Sequence, residues 1–501
     1  MLKKTLTLIL FITFLKGSSQ NEVDALRFSL FGNYNTAGIS ALGGAGGLLS
    51  PTQNPASLAF FSGDKLLSIS LGNNTKSVDA VYSNNNTITE TPFNIAPFIQ
   101  NFGYVSRLPF ATENDWNRCN MSVSFNRKHD FNNTTIVNGY NDSNSMVNIF
   151  VNNAQGFTPE ELTSLAEEQF GGINYWPGYL GYYTWLINPE NDNNTNYYSN
   201  TYASGQDQRI EINETGYINE VDIAFSGAYK DFLFLGGSIG FTELKFTQYK
   251  SYTEDEFEQP NSVNSSAVDR FEYNEYLETE GSGINFKFGS LIKPTDFLRL
   301  GWAYHSKTYS QLDELYETSM ETYLLNGEHY ELLSPWIWTK SYELNTPAKS
   351  ITSLGLIGNY DKLRVVFTFD YEAIDYGSSQ LSATSPYGYN FIQENEDISE
   401  SYARTNNKKA GLSLSMKNIS LRGGYSIFGS PFQNNLNDGE REYFSGGIGL
   451  KKGQYSFDLA LIHSTKQEDY TLYQDETLNT HPTANINYQN TTVILTCNYR
   501  F

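Results

Sequence analysis

Leu363-Arg-Val-Val-Phe-Thr-Phe-Asp-Tyr-Glu-Ala373 alternates with a period of two. Leu363, Val365, Phe367, Phe369, Tyr371 and Ala373 fall on one face of a strand, and Arg364, Thr368, Asp370 and Glu372 on the other. The same split recurs at Val221-Ile223-Phe225, at Ile284-Phe286-Phe288 and at Tyr455-Phe457-Leu459-Leu461. Each reads as a strand with one greasy and one wet face. In a soluble sandwich the greasy faces pair into a core; in a membrane barrel they face lipid while the wet faces line the lumen.

Connection lengths separate the two architectures. Short turns fall at Arg107 to Trp116, Lys230-Asp231, Lys293 to Asp296, Asn359 to Lys362, Lys417-Asn418 and Lys451 to Gln454. Between them lie long polar connections at Asn74 to Phe93, Phe131 to Glu211, Tyr252 to Arg270, Leu312 to Lys340, Leu381 to Ile398, Gly429 to Glu440 and Glu468 to Ala484. Strict alternation of short and long gives fourteen strands with turns at one rim and loops at the other. The fold class is therefore all-β, a transmembrane antiparallel β-barrel. The last strand places Val493, Leu495, Cys497, Tyr499 and Phe501 on one face, an apolar ending that resembles the signal read by the outer-membrane assembly machinery.

The remaining organisation follows from the amino terminus. Lys3 and Lys4, an apolar run from Leu6 to Leu15 and Gly17-Ser18-Ser19 read as a cleavable secretory leader over 1–19. Cleavage after Ser19 removes three lysines and takes the net charge from −22 to −25. Such acidity argues against nucleic-acid binding, which needs basic surface. Residues 20–64 come next, and within them Thr36 to Phe61 is built of Gly, Ala, Ser and Leu. That stretch is too small to hold a core of its own and too apolar to be a solvated tail. It reads as a plug, with residues 65–501 as its container. Gly43, Gly44, Gly46 and Gly47 let its backbone turn tightly and approach neighbours closely, and Asn54-Pro55 fixes a turn before Ala56. Only Cys119 and Cys497 are present, so neither a disulfide scaffold nor a cysteine-rich metal site is expected.

The small-residue run Ala41 to Leu49, followed by Asn54-Pro55-Ala56-Ser57-Leu58, carries a family resemblance. So do Leu344-Asn345-Thr346-Pro347-Ala348, Phe369-Asp370-Tyr371-Glu372 and Leu421-Arg422-Gly423-Gly424-Tyr425 in their order along the strands. The chain resembles the FadL-type outer-membrane transporters of long-chain fatty acids and hydrophobic compounds, whose fourteen-stranded barrels are closed by an N-terminal hatch. The resemblance implies passive uptake of fatty acids or aromatic hydrocarbons across the outer membrane of a Gram-negative bacterium, by a monomer without cofactor. Its hatch would comprise Gly43, Gly44, Gly46, Gly47, Asn54, Pro55 and Ala56, and its surroundings would be outer-membrane lipid and lipopolysaccharide. Relatives can release ligand sideways where the third strand kinks. Here that strand, Arg118 to Arg127, holds neither Gly nor Pro.

The longest connection, 131–211, contains a capping box at Thr158-Pro159-Glu160-Glu161, so a helix is expected there with Leu162, Leu165, Ala166 and Phe170 on one face. Tyr175, Trp176, Tyr179, Leu180 and Trp185 offer that face partners. Together they suggest a greasy groove at the barrel mouth where an apolar ligand leaves water; the plain reading is that the aromatics pack the loop against itself. The lumen-facing Lys287, Arg364, Asp370 and Glu372 read as cross-lumen ion pairs before they read as ligand contacts. An enzymatic site is disfavoured, because the five histidines are dispersed and no HExxH or GxSxG motif occurs. The alternative to transport is a plugged barrel kept for its external loops, an adhesin or receptor, whose lumen would hold paired charges and no continuous apolar pocket.

Overall fold

The computed structural model describes residues 22–501 except 33–34, 92–96, 110–114, 169–171, 192–194, 202–204, 259–264, 386–388, 434–436 and 476–480. The leader and Phe170 lie outside the described residues. Fourteen antiparallel strands form the wall: β1 (Lys65–Tyr82), β2 (Phe98–Leu108), β3 (Trp116–Asp130), β4 (Gln206–Tyr229), β5 (Leu233–Asp255), β6 (Val268–Ile292), β7 (Leu298–His305 continued by Tyr309–Leu324), β8 (Trp338–Asn345 continued by Lys349–Tyr360), β9 (Leu363–Asp375), β10 (Arg404–Met416), β11 (Ile419–Phe428), β12 (Arg441–Lys452), β13 (Tyr455–Thr471) and β14 (Thr483–Arg500). β14 pairs with β1 from Leu66 opposite Arg500 to Val81 opposite Asn485, which closes the barrel. Closure removes the unpaired sheet edges that lipid does not tolerate.

The outward faces carry the residues that the alternation assigned to lipid. Phe225, Phe241, Phe286, Phe288, Trp302, Leu412, Phe444, Leu461 and Leu495 are all exposed, while their neighbours along each strand are turned inward. A closed barrel wrapped in such a belt is an outer-membrane span. Among the described residues no helix is long and apolar enough to cross a membrane. The short turns are tight: Lys230, Asp231, Asp361 and Lys417 adopt φ of +50° to +53°, the left-handed geometry that two-residue hairpins need to match strand twist.

Three connections differ from their sequence reading. Within Asn74 to Phe93 the described residues 74–91 are a hairpin, in which β1 runs on to Tyr82 and pairs with Asn85–Thr91 across Ser83-Asn84. Leu312 to Lys340 is likewise sheet, comprising the upper part of β7, a short strand His329–Leu333 and the start of β8. Above the lipid the outward face of a strand is mostly polar, broken here only by single residues such as Val81, Ile88 and Leu333, so these segments lack a continuous greasy face and mimic loops in composition. Among the described residues, Phe131 to Glu211 contains a strand, Asn133–Asn141, paired with β4, a small hairpin of Ile187–Pro189 with Tyr197–Ser199, and three α-helices where one was expected. Numbered after α1 (Glu22–Arg27) and α2 (Ala37–Ser40) of the plug, these are α3 (Val147–Ala154), α4 (Pro159–Ala166) and α5 (Trp176–Tyr183). The capping box sits at the start of α4, where Thr158 accepts from Glu161 N and Glu161 reaches back to Thr158 N. A further helix, α6 (Ile392–Ser401), lies between β9 and β10.

Candidate functional site

The segment from Glu22 to Phe61 lies against the inward faces of the wall. Small residues seat it. Ala37 and Ala41 are fully buried in a cluster with Ala460 and Ile494, and Ala37 N donates to Thr496 Oγ1 at 2.8 Å. Gly43 and Gly44 have φ of +68° and +71° and make the turn that drives the backbone onto β10 and β11. Gly43 N donates to Ser445 Oγ at 2.9 Å. Gly47 N donates to Asp370 Oδ2 at 2.8 Å, and a Cβ on Gly47 would stand 2.0 Å from Ser353 Oγ. Gly46 N donates to Gln53 Oε1 at 3.2 Å, closing the loop on itself.

Asn54 caps a 3₁₀ helix, Pro55–Phe60, by accepting from Ala56 N at 3.0 Å, with proline at its first position. The Asn54 amide reaches the carbonyls of Ser290 and Trp302, each at 3.4 Å. The helix packs on Ala228, Phe234 and Leu291, and Asn120 Nδ2 donates to Leu58 O and Phe61 O at 2.8 and 2.9 Å. Of the residues singled out from sequence, Gly44 and Gly46 bond within the plug itself, while Gly43, Gly47, Asn54, Pro55 and Ala56 meet the wall. The wall meets them with glycines of its own: a Cβ on Gly236, Gly411 or Gly424 would run into plug backbone at 2.0 to 2.6 Å.

A belt of ion pairs surrounds this seat. Lys287 bonds Glu220 and Asp222, each at 2.6 Å, and Glu372 receives Lys349 at 3.0 Å and Lys409 at 3.5 Å. Lys287 and Glu372 therefore act as paired lumen charges. Asp370 is instead committed to the plug through Gly47. Arg364 lies at the exposed start of β9.

Beside the plug is a chamber of about 780 Å³. Val23, Leu26 and Leu30 of the N-terminal segment face it, together with Phe131, Ile212, Leu277 and Ile462 of the wall. Aromatics complete the apolar part: Tyr316, Phe432, Tyr443, Tyr470 and Tyr488. Four ion pairs stand in its lining, Lys250 with Glu275 at 2.8 Å, Lys76 with Asp130 at 3.9 Å, Lys466 with Glu468 and Arg27 with Asp24, and Glu214, Arg441 and Asp469 line it as well. Tyr316 also donates to Glu275 Oε1 at 2.7 Å, which fixes its ring. The chamber is therefore lined by apolar side chains interspersed with charged ones.

The groove residues proposed from sequence stand elsewhere. Leu162, Trp176 and Leu180 are at most 1% exposed and sit in the core of the external loop, with Tyr175 and Tyr179 packed against them and Leu165 half-buried on the same helix. Trp185 is exposed and lies 6.1 Å from the Tyr330 ring. The connection between the two regions is Trp176, whose indole lies parallel to the Tyr316 ring at 6.4 Å. The aromatic loop thus backs a chamber-lining ring. Sequence reasoning missed the chamber residues, yet the alternation of buried Leu312, Glu314, Thr318 and Met320 around Tyr316 was available to place that ring inward. β3 keeps an unbroken register against β4 from Arg118 to Arg127, and shifts only on either side of that stretch, between Trp116 and Arg118 and between Arg127 and His129.

The fold and this geometry define a class, a fourteen-stranded outer-membrane barrel with its lumen occupied by its own amino-terminal segment. Among solved structures the chain is similar to a FadL homologue from Pseudomonas aeruginosa, with 14% identity and a TM-score of 0.53 over 93% of this chain and 98% of that one. It also aligns with the toluene transporter TbuX from Ralstonia pickettii at 13% identity and a TM-score of 0.48, covering 95% of this chain and all of the other. No family model matches, and no curated protein matches.

Proposed function

We propose that the protein conducts hydrophobic small molecules passively across the outer membrane, holding them in the chamber before they pass the plug. The observation that carries this reading is the chamber of about 780 Å³, lined by apolar and charged side chains, at the boundary of plug and wall. Its size falls in the range that buries a drug-sized ligand. Its mixed lining suits an elongated amphiphile, such as a fatty acid, better than a single-ring hydrocarbon, which would leave most of it to water. The resemblance in sequence and the shared fold of the P. aeruginosa FadL homologue support the same reading. A chamber of this size with a substantial apolar share in its lining favours transport over a barrel kept only for its loops. In this reading Gly43, Gly44, Gly46, Gly47, Asn54, Pro55 and Ala56 form the gate, and the loop containing Leu162, Leu165, Tyr175, Trp176, Tyr179, Leu180 and Trp185 backs the chamber through Trp176 on Tyr316.

The test is displacement of a fluorescent apolar probe from the purified, folded barrel by long-chain fatty acids and by monoaromatic hydrocarbons. Saturable displacement is expected, with the fatty acid the stronger competitor. Leu30→Trp, which adds an indole at the chamber floor, is expected to weaken it at least tenfold. A wild-type barrel without a saturable site, or a Leu30→Trp variant with unchanged affinity, would refute the assignment.

A further inference from the structure

The wall is lopsided. β4, β5 and β6 have 24, 23 and 25 residues, whereas β11 and β12 have 10 and 12. On the tall side the outward face changes character abruptly. Along β5, Leu235, Ile239 and Phe241 face lipid and the next outward residue is Glu243; along β6, Phe288, Phe286 and Ile284 give way through Ser282 to Glu280. From Glu243 to Thr253 is about 34 Å of strand at 3.4 Å per residue, so at an ordinary barrel tilt this face stands roughly 25 Å above the lipid.

The face is acidic in rows. Glu272, Glu321 and Glu331 oppose one another across three adjacent strands, as do Glu280 and Asp313. Like charges set directly opposite destabilise a sheet. Arg270 at 2.8 Å and His329 at 3.4 Å serve the first row, and Lys245 bonds Glu280, so carboxylates outnumber permanent cations in both. Asn274 adds an independent sign. It shares the outward face two residues from Glu272, is 6% exposed, and its Oδ1 is buried with no donor. A carbonyl oxygen in that state, among carboxylates, suits a hard cation.

We infer that the outward face of β5–β7 above the lipid belt docks the phosphate-bearing glycolipid of the outer leaflet through shared divalent cations. The face continues upward from the lipid-facing belt of the same strands, so the layer it meets is the head-group layer. Anionic protein and anionic phosphate share one layer only with a counter-cation between them, and a divalent ion bridges both without needing a closed cage of protein ligands.

The experiment reconstitutes the full barrel in vesicles of lipopolysaccharide or of phosphatidylcholine and measures the unfolding midpoint by heat-modified gel mobility, with magnesium or with chelator. Wild type is expected to gain about 5 °C from magnesium in lipopolysaccharide and nothing in phosphatidylcholine. The combined variant Asp313→Asn, Glu321→Gln, Glu331→Gln is expected to lose that gain and, in chelator, to melt above wild type because its cross-strand repulsion is gone. Equal magnesium gains in both lipids, or a full gain in the variant, would overturn the inference. So would a wild-type midpoint in lipopolysaccharide that does not respond to chelation.

Discussion

Gly423 and Gly424 are neighbours on β11, yet they face opposite ways, and this makes a clean test of how the plug is held. A Cβ on Gly424 would lie 2.0 Å from Gly43 N and 2.2 Å from Leu42 C, both plug backbone; a Cβ on Gly423 meets nothing closer than Ser445 O at 4.0 Å. Ordinary contact begins near 3.4 Å, so Gly424→Ala forces the plug loop back by about 1.4 Å. That retreat breaks the 2.9 Å bond from Gly43 N to Ser445 and lifts Leu42, now 3% exposed, from its seat. One hydrogen bond is worth about 1 kcal/mol and the partial uncovering of a leucine about 1 to 2 kcal/mol, together about 2 to 3 kcal/mol. The unseated population should rise roughly 30- to 150-fold, at about 1.4 kcal/mol per factor of ten. Single-channel recording in planar bilayers would show it as a matching increase in open probability, with protease sensitivity of residues 36–50 rising in parallel. Gly423→Ala should behave as wild type in both. Equal behaviour of the two variants would refute the claim that this contact retains the plug.

Two further outcomes follow from the same geometry. Burial pushes the Glu22 carboxyl up to about 7, with Asp397, Asp24 and Glu394 adding repulsion. Because its folded value lies above the unfolded one of 4.5, its contribution to docking of α1 against α6 is full below about pH 4.5 and is lost as pH rises to about 7, a span of about 3 kcal/mol. Protease release of the N-terminal segment should therefore accelerate between pH 5 and 8, and Glu22→Gln should flatten that profile; a variant that keeps the slope would show another group responsible. Trp176→Ala should cost the external loop about 3 to 5 kcal/mol, since the indole is buried and donates to Ala166 O at 3.2 Å. Loop proteolysis should appear and probe affinity fall, through the lost backing of Tyr316, while the barrel keeps its heat-modified mobility.

Much of the wall was legible because lipid imposes a period of two on every strand it touches, as at Leu363 to Ala373. Legibility stopped where lipid stops. Above Phe241 and Ile284 the outward residues turn polar, so the upper parts of β5 to β8 resemble loops in composition although they are continuous sheet. The plug was legible for a different reason, since Gly43, Gly44 and Gly47 announce close approach without saying to what. Their partners, Ser445, Asp370 and Ser353, lie more than three hundred residues away, and no local spacing carries that information. The same holds for the chamber, assembled from single residues of many strands. α4 was readable from its capping box, but Trp176 could be assigned to a groove or to a core with equal right; burial by Tyr316 and Ala166 decided for the core.

The bond between Ala37 N and Thr496 spans 459 residues. The plug is among the first parts of the mature chain to be made, and its seat is among the last, since α2 rests on β12, β13 and β14. Contacts of that sequence separation form late, after the loop-closure entropy between them has been met. Synthesis and assembly therefore run in opposite order at this point. The amino terminus must wait, unseated, until β14 joins β1. A short run of glycine and alanine with little apolar bulk is suited to that delay, because it exposes no surface large enough to aggregate while the cylinder that will enclose it is still open.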